Sequence, residues 1–258
     1  MFNSYICCTN CLGNITINKL TLTTHKIVAK QNLTRGKNKK FMISLIYDCS
    51  GINFSAGLYQ NQHLIFSEKI TEAHKHSEIM VATIDKMLQN NNLVYQDLSF
   101  VAPAKGPGSF TGLRVGLAFL KTLQTIANIK AIAIDNFTIY AYQYFCSIRH
   151  QKILPHSIFI ALDSGNQYVY LCGFDVSQNG FCKNSYLKSF SSADFTKHLA
   201  ENVQKIFIGN VKNLPKNTQK EISLDALQEL ALLKHQVLIN NFDFDDKIEI
   251  FYNIENIS

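Results

Sequence analysis

The sequence predicts an α/β chain built from two similar halves, each a mixed sheet with helical cover. Three observations carry that reading. After residue 42, short runs rich in β-branched and aromatic residues alternate with longer stretches of helical period, so strands and helices interleave instead of segregating. A strand ending in Asp and a glycine turn occurs twice, as Asp48-Cys49-Ser50-Gly51 and Asp163-Ser164-Gly165. Each is followed by two more strands, a helix and a strand, and such a repeated order marks an internal duplication. Apolar residues make up 47% of the 258 and charged residues 17%, enough for a packed core in one large or two small domains.

In the first half, strands are expected at Ile43 to Cys49, Phe54 to Tyr59 and Leu64 to Ile70. A helix from His76 to Asn90 follows, with Ile79, Met80, Val81, Ile84, Met87 and Leu88 at helical spacing and a stop at Asn90-Asn91-Asn92. Next come a strand at Leu98 to Ala104, a helix at Phe110 to Ala127, a strand at Ala131 to Ile134 and a helix at Phe137 to Cys146. The second half repeats the opening with strands at Ile158 to Asp163, Gln167 to Phe174 and around Phe181 to Leu187. A helix from about Ala193, a strand at Lys205 to Ile208 and a helix from Leu224 to about Leu238 complete it. The expected division is an N-terminal extension over 1–41, a first half over 42–150 and a second over 151–258.

The net charge of +6 misleads if read globally. Residues 1–41 hold seven Lys or Arg and no acid, which leaves 18 basic against 19 acidic residues in the rest. A general nucleic-acid-binding surface cannot be argued from a neutral body. The extension, with Cys7, Cys8 and Cys11, ends in Arg35-Gly36-Lys37-Asn38-Lys39-Lys40 just before Met42. Met42 reads as the true start, with an organelle-targeting peptide as the alternative. Cys8 and Cys11 could supply two metal ligands, but no second pair completes a tetrahedral site. Cys49, Cys146, Cys172 and Cys182 read as reduced core residues, and no apolar run reaches the roughly eighteen residues of a membrane span.

The most informative segment is Ala104-Lys105-Gly106-Pro107-Gly108-Ser109-Phe110-Thr111-Gly112-Leu113-Arg114-Val115-Gly116. A strand enters a glycine turn that opens onto a helix, with Ser109 as N-cap. Backbone amides converge at such a place, so one reading is an anion cradle. The other is a turn that packs a helix tightly on a sheet; the pattern is neither the Walker loop nor the dinucleotide fingerprint. Gly108, Gly112 and Gly116 line one ridge of the helix and allow a close crossing. On that helix only Arg114, Lys121 and Thr125 form a polar stripe, and the preceding helix has an apolar arc of roughly 200° where about 100° serves one interface. The two helices either bury each other within one domain or offer a paired surface to a partner.

The run from Gly106 to Leu117 resembles the signature of the TsaB family, dimerisation subunits of the bacterial tRNA threonylcarbamoyladenosine machinery once described as glycoprotease-like. The resemblance takes in Ile46 to Ser50, His76-Ser77 and Ile160 to Ser164, and fades after about Gly209. It implies the duplicated actin, sugar-kinase and Hsp70 ATPase-like fold, and a non-catalytic, cytoplasmic subunit that pairs with the paralogous catalytic subunit TsaD. It also implies recruitment of the ATPase TsaE, self-association through the same helices, and contact with tRNA only through the complex. His76, Ser77, Met80, Ile84, Gly108, Ser109, Phe110, Thr111, Gly112, Arg114 and Gly116 are the expected interface residues. No cofactor is required by the chain itself, with ATP or ADP at the subunit junction.

In an active superfamily member, Asp48, Ser50, Asp163 and Gly209 would lie near metal and phosphates; otherwise Asp48 and Asp163 cap their own hairpins. An active ATP-dependent sugar or acid kinase is the alternative function, and a metalloprotease ranks third. His74 and His76, two residues apart, point about 200° from each other on a helix and cannot chelate together. Ser109 has no histidine near it in sequence to act as a base. Arg114 would either bind a carboxylate across an interface or anchor a neighbouring loop.

Overall fold

The computed structural model describes residues 41–71, 76–163, 167–178, 180–211, 214 and 221–239. The expectations for the extension and its cysteines over 1–40, for His74 and for the tail from 240 lie outside these. Strands β1 (Ile43–Asp48), β2 (Phe54–Gln60) and β3 (His63–Ile70) are followed by α1 (His76–Asn90), β4 (Leu98–Pro103), α2 (Phe110–Ala127), β5 (Lys130–Ala131) and α3 (Asn136–Ile148). The second series is β6 (Ser157–Asp163), β7 (Tyr168–Ser177), β8 (Gly180–Ser191), α4 (Ser192–Glu201), β9 (Phe207–Gly209) and α5 (Leu224–Ile239).

The first sheet has the order β3-β2-β1-β4-β5 and the second β8-β7-β6-β9. In each, three strands pair antiparallel, and a crossover helix returns the chain to a strand parallel to the first. The two halves thus repeat one topology, as the duplication in the sequence leads one to expect. The expected strand at Ala131 to Ile134 shrinks to Lys130–Ala131 plus a lone bridge between Ala104 and Ile134.

Strand β1 is buried along its whole length because both faces of its sheet are covered. On one face Leu45, Tyr47 and Leu58 meet Met80, Ile84, Met87 and Leu88 of α1 and Phe119, Leu120 and Leu123 of α2. Each such side chain contributes about 1.5–3 kcal/mol by leaving water. On the other, Ile46, Phe100 and Ala102 meet Ile139 of α3 and Leu227, Leu230 and Ala231 of α5. Ser44, buried on this face, donates to Gln228 Oε1 at 3.0 Å, and Gln228 Nε2 donates to the Asn61 carbonyl at 2.9 Å. The polar pair is therefore satisfied, as burial requires.

Helix α3 lies between the sheets, since Phe137, Tyr140 and Ala141 also pack on Ile158, Ile160 and Phe174 of the second. The far face of the second sheet is covered around Phe159, Leu171 and Phe207 by Phe195 of α4. Although α5 follows the second series in the chain, it docks on the first sheet, where Tyr59 and Tyr142 donate to Asp225 and Glu229.

Candidate functional site

The glycine loop runs from the end of β4 to the first turn of α2 and passes directly under the turn that follows β1. Ser109 accepts from the Gly112 amide at 3.3 Å and caps α2 as expected. Gly106 has φ +93°, a conformation that glycine adopts without penalty, and precedes Pro107 through a cis peptide bond. The Ser109 amide donates to the Ser50 carbonyl at 2.7 Å. Asp48 Oδ1 in turn accepts from the Ser50 amide and hydroxyl at 2.7 and 2.5 Å, so this carboxylate caps its own hairpin.

A third segment joins them, one that sequence reasoning passed over. Asn136, 3% exposed at the start of α3, donates from Nδ2 to Ser50 Oγ at 2.7 Å and to the Pro107 carbonyl at 2.9 Å. Its Oδ1 accepts from the Gly106 amide at 3.1 Å, and its own amide donates to the Gly106 carbonyl at 2.8 Å. The available signal was Asp135, an N-cap whose side chain accepts from the Thr138 amide at 3.0 Å. Lys183 of β8 reaches Asp135 at 3.3 Å and lies 5.6 Å from the Phe137 ring centre. Burial pushes the Asp135 carboxyl up, but Lys183 and the Thr138 bonds outweigh it and hold the carboxyl below its ordinary value.

This arrangement favours the packing turn over the anion cradle. The amides of Gly106, Ser109 and Gly112 already donate within the chain, so a phosphate drawing on them would have to displace Asn136, Ser50 or the cap. The glycine ridge serves the tight packing of α2. A Cβ on Gly108 would overlap the Ser50 carbonyl oxygen, one on Gly112 the Cys49 carbonyl oxygen, and one on Gly116 would press on the Tyr47 ring. Tyr47 hydroxyl also donates to the Gly116 carbonyl at 2.7 Å. Between α2 and the ends of β1 and β4 there remains a cavity of about 10 Å³, lined by Tyr47, Cys49, Lys105 and Leu113 among others.

Met80 and Ile84 require correction as interface residues, because both are 0% exposed and lie in the core under the first sheet. Gly112 and Gly116 are buried likewise. Both helices bury each other and the sheet, and what they turn outward is a different set. Phe110 is 44% and Val81 46% exposed, with Thr111, Arg114, Ala118 and Lys121 along the same side of α2. The Arg114 guanidinium sits over the Phe110 ring at 3.9 Å from its centre, a cation–π pairing within one turn. The outer stripe of α2 is therefore broader and more apolar than Arg114, Lys121 and Thr125 alone. His76 and Ser77 form the first turn of α1.

In the second half, the Asp163 amide donates to Asn210 Oδ1 at 2.8 Å. Gly209 has φ +144° on the strand beside it, where a Cβ would overlap the Ala161 carbonyl oxygen. Its glycine is thus explained by backbone packing within the sheet. Among the described residues, no group of three or more His, Cys, Asp or Glu side chains is placed to hold a metal ion. Cys49, Cys146, Cys172 and Cys182 are all free thiols, and burial pushes Cys172 up to about 12. Among the described residues no helix is long and apolar enough to cross a membrane.

Residues 69–233 match the family model described as TsaD: tRNA N6-adenosine threonylcarbamoyltransferase. The chain belongs to this family. Within the TsaD family, its similarity extends to proteins named tRNA threonylcarbamoyladenosine biosynthesis protein TsaB. That of Buchnera aphidicola subsp. Acyrthosiphon pisum is 22% identical over 211 residues, covering 77% of this chain and 92% of the relative. That of Bacillus subtilis is 33% identical over 96 residues, covering 37% and 42%. Among solved structures, YeaZ from Pseudomonas aeruginosa superposes with a TM-score of 0.57 at 17% identity, over 76% of this chain and 92% of the other. A second Pseudomonas aeruginosa structure, of a protein with similarity to peptidase YEAZ, gives 0.58 at 16% identity over the same shares. These two likenesses concern the fold.

Proposed function

We infer that this chain takes part in tRNA threonylcarbamoyladenosine biosynthesis as a non-catalytic subunit that pairs with a TsaD-type catalytic paralogue. The curated relatives carry the biosynthetic assignment. The subunit role rests on one observation: in the first half, the turn and the loop where an active superfamily member would meet phosphates are engaged by the chain itself. Asp48 holds the Ser50 amide and hydroxyl, and the loop amides hold Ser50 and Asn136. A sugar or acid kinase of this fold would need those groups turned towards a nucleotide.

The surface proposed for the partner is the outward side of α1 and the first turns of α2, carried by Val81, Phe110, Thr111 and Arg114 with His76 and Ser77 at the start of α1. Phe110 supplies an aromatic anchor and Arg114 a planar donor, the residue types that dominate interface energetics. ATP or ADP at the junction, TsaE as a further component, a homodimer through the same face, tRNA contact through the complex and a cytoplasmic setting belong to the same reading. The test is co-purification with tagged TsaD paralogue from the native cell. Retention of the wild-type chain, and its loss on Phe110→Ala with Arg114→Ala while circular dichroism is unchanged, is the expected result. Retention of the double variant at wild-type level would remove this surface from the account.

A further inference from the structure

We propose that Asn136 is a positioning residue for the partner-facing turn: its carboxamide fixes the Gly106–Ser109 loop against Ser50 and thereby sets where Phe110, Thr111 and Arg114 stand. The inference rests on the functional reading above and assigns to a residue outside the contact surface the task of presenting that surface.

The geometry makes the demand specific. One planar group must donate twice, to Ser50 Oγ and the Pro107 carbonyl, and accept once, from the Gly106 amide. Among short side chains only asparagine offers both donors and an acceptor; aspartate lacks the donors, and serine or threonine lacks the number and the reach. At 3% exposure water cannot replace these partners. The loop held in this way is the sole covalent lead-in to α2, and its last residue, Ser109, is both bonded to the Ser50 carbonyl and the cap of the helix. Phe110 and Arg114 follow within one turn, stacked on each other and exposed.

Ser50 is the common point. Its carbonyl receives Ser109, its hydroxyl receives Asn136, and the same hydroxyl donates to Asp48. The hairpin turn after β1, the start of α3 and the start of α2 are thereby one connected body. A displacement of the Asp48–Ser50 turn would be transmitted to the exposed turn of α2 through two bonds.

The test compares Asn136→Ala with Ile160→Val, a core change in the second sheet, in the full-length chain. Amide hydrogen exchange and capture by immobilised TsaD paralogue are measured below both melting temperatures. Asn136→Ala should lower exchange protection over residues 106–114 by at least about tenfold and weaken capture by a similar factor. Ile160→Val should lower the melting temperature and leave both readouts as in wild type. Ser50→Ala, which removes only the hydroxyl, is the milder second variant should Asn136→Ala not fold, and should move both readouts in the same direction.

Unchanged protection over 106–114 would overturn the proposal. So would a loosened loop with wild-type capture, because Asn136 would then be structural only. Failure of the wild-type chain itself to capture the paralogue would instead refute the functional reading. In that event the exchange data would still decide whether Asn136 sets the turn.

Discussion

Replacing Gly112 with alanine drives a methyl group into the carbonyl oxygen of Cys49, directly after a central strand that is buried along its length. The obstacle is backbone, so no rotamer change relieves it; α2 must lift from β1 or β1 must bend. Overpacking of this kind costs about 1–3 kcal/mol, and the clash with main chain places Gly112 at or above the upper end. Alanine returns up to about 1 kcal/mol of helix propensity. The net loss is about 2 kcal/mol or more, which lowers Tm by at least about 4–8 °C in a chain of this size.

Gly116→Ala is the matched control. There the nearest atom is the edge of the Tyr47 ring at 3.3 Å, a tight contact rather than an overlap, so propensity and contact roughly cancel. Thermal unfolding of the isolated chain by circular dichroism should rank Gly112→Ala well below wild type and Gly116→Ala close to it. Were the ridge a surface awaiting a partner, Gly112→Ala would be as stable as wild type or more so in isolation, and that result would refute the packing argument.

Ile84→Glu buries an unpaired carboxylate among core residues of the first sheet, so it should unfold the isolated chain, read as loss of the cooperative thermal transition. Lys183 and Asp135 contribute through a partly exposed pair, 36% and 20%, worth about 1 kcal/mol or less. Because the Asp135 carboxyl is lowered on folding, its contribution is full above the ordinary carboxylate pKa of about 4 and is lost as pH falls through the lowered value. Lys183→Met should accordingly flatten the acid limb of a stability–pH profile. His235 is 8% exposed and stacked on Phe100 at 5.1 Å, and burial, with a smaller effect of Lys130, holds its imidazole below its ordinary value. Stability is therefore full above about pH 6.5 and declines as pH falls below it, and His235→Phe should remove that decline in urea titrations.

The fold was legible because its signals are local. Strand and helix periodicity, the Asn90-Asn91-Asn92 stop and the Ser109 cap place α1 and α2 at the observed bounds, and the twin Asp turns reveal the duplication. The direction in which a helix faces was less accessible. The apolar arc of α1 includes both the core-facing Met80 and Ile84 and the exposed Val81, and periodicity alone cannot say which part meets the sheet. The glycine ridge announced a close approach, yet nothing in the sequence says that the approaching backbone is the turn after β1 and not a second helix. Asn136 escaped notice for a similar reason: its three partners lie 29 to 86 residues away, and one asparagine at a helix start looks like a cap. That α5 covers the first sheet depends on a long-range crossover no window of residues reports.

The most direct test of the account is reconstituted tRNA threonylcarbamoylation by the TsaD-type paralogue and its companion factors, with this chain added or omitted. Product is expected only when the chain is present, with none from the chain without the paralogue and none with the folded Phe110→Ala, Arg114→Ala double variant. Full modification in the absence of the chain, or modification by the chain without the paralogue, would contradict it.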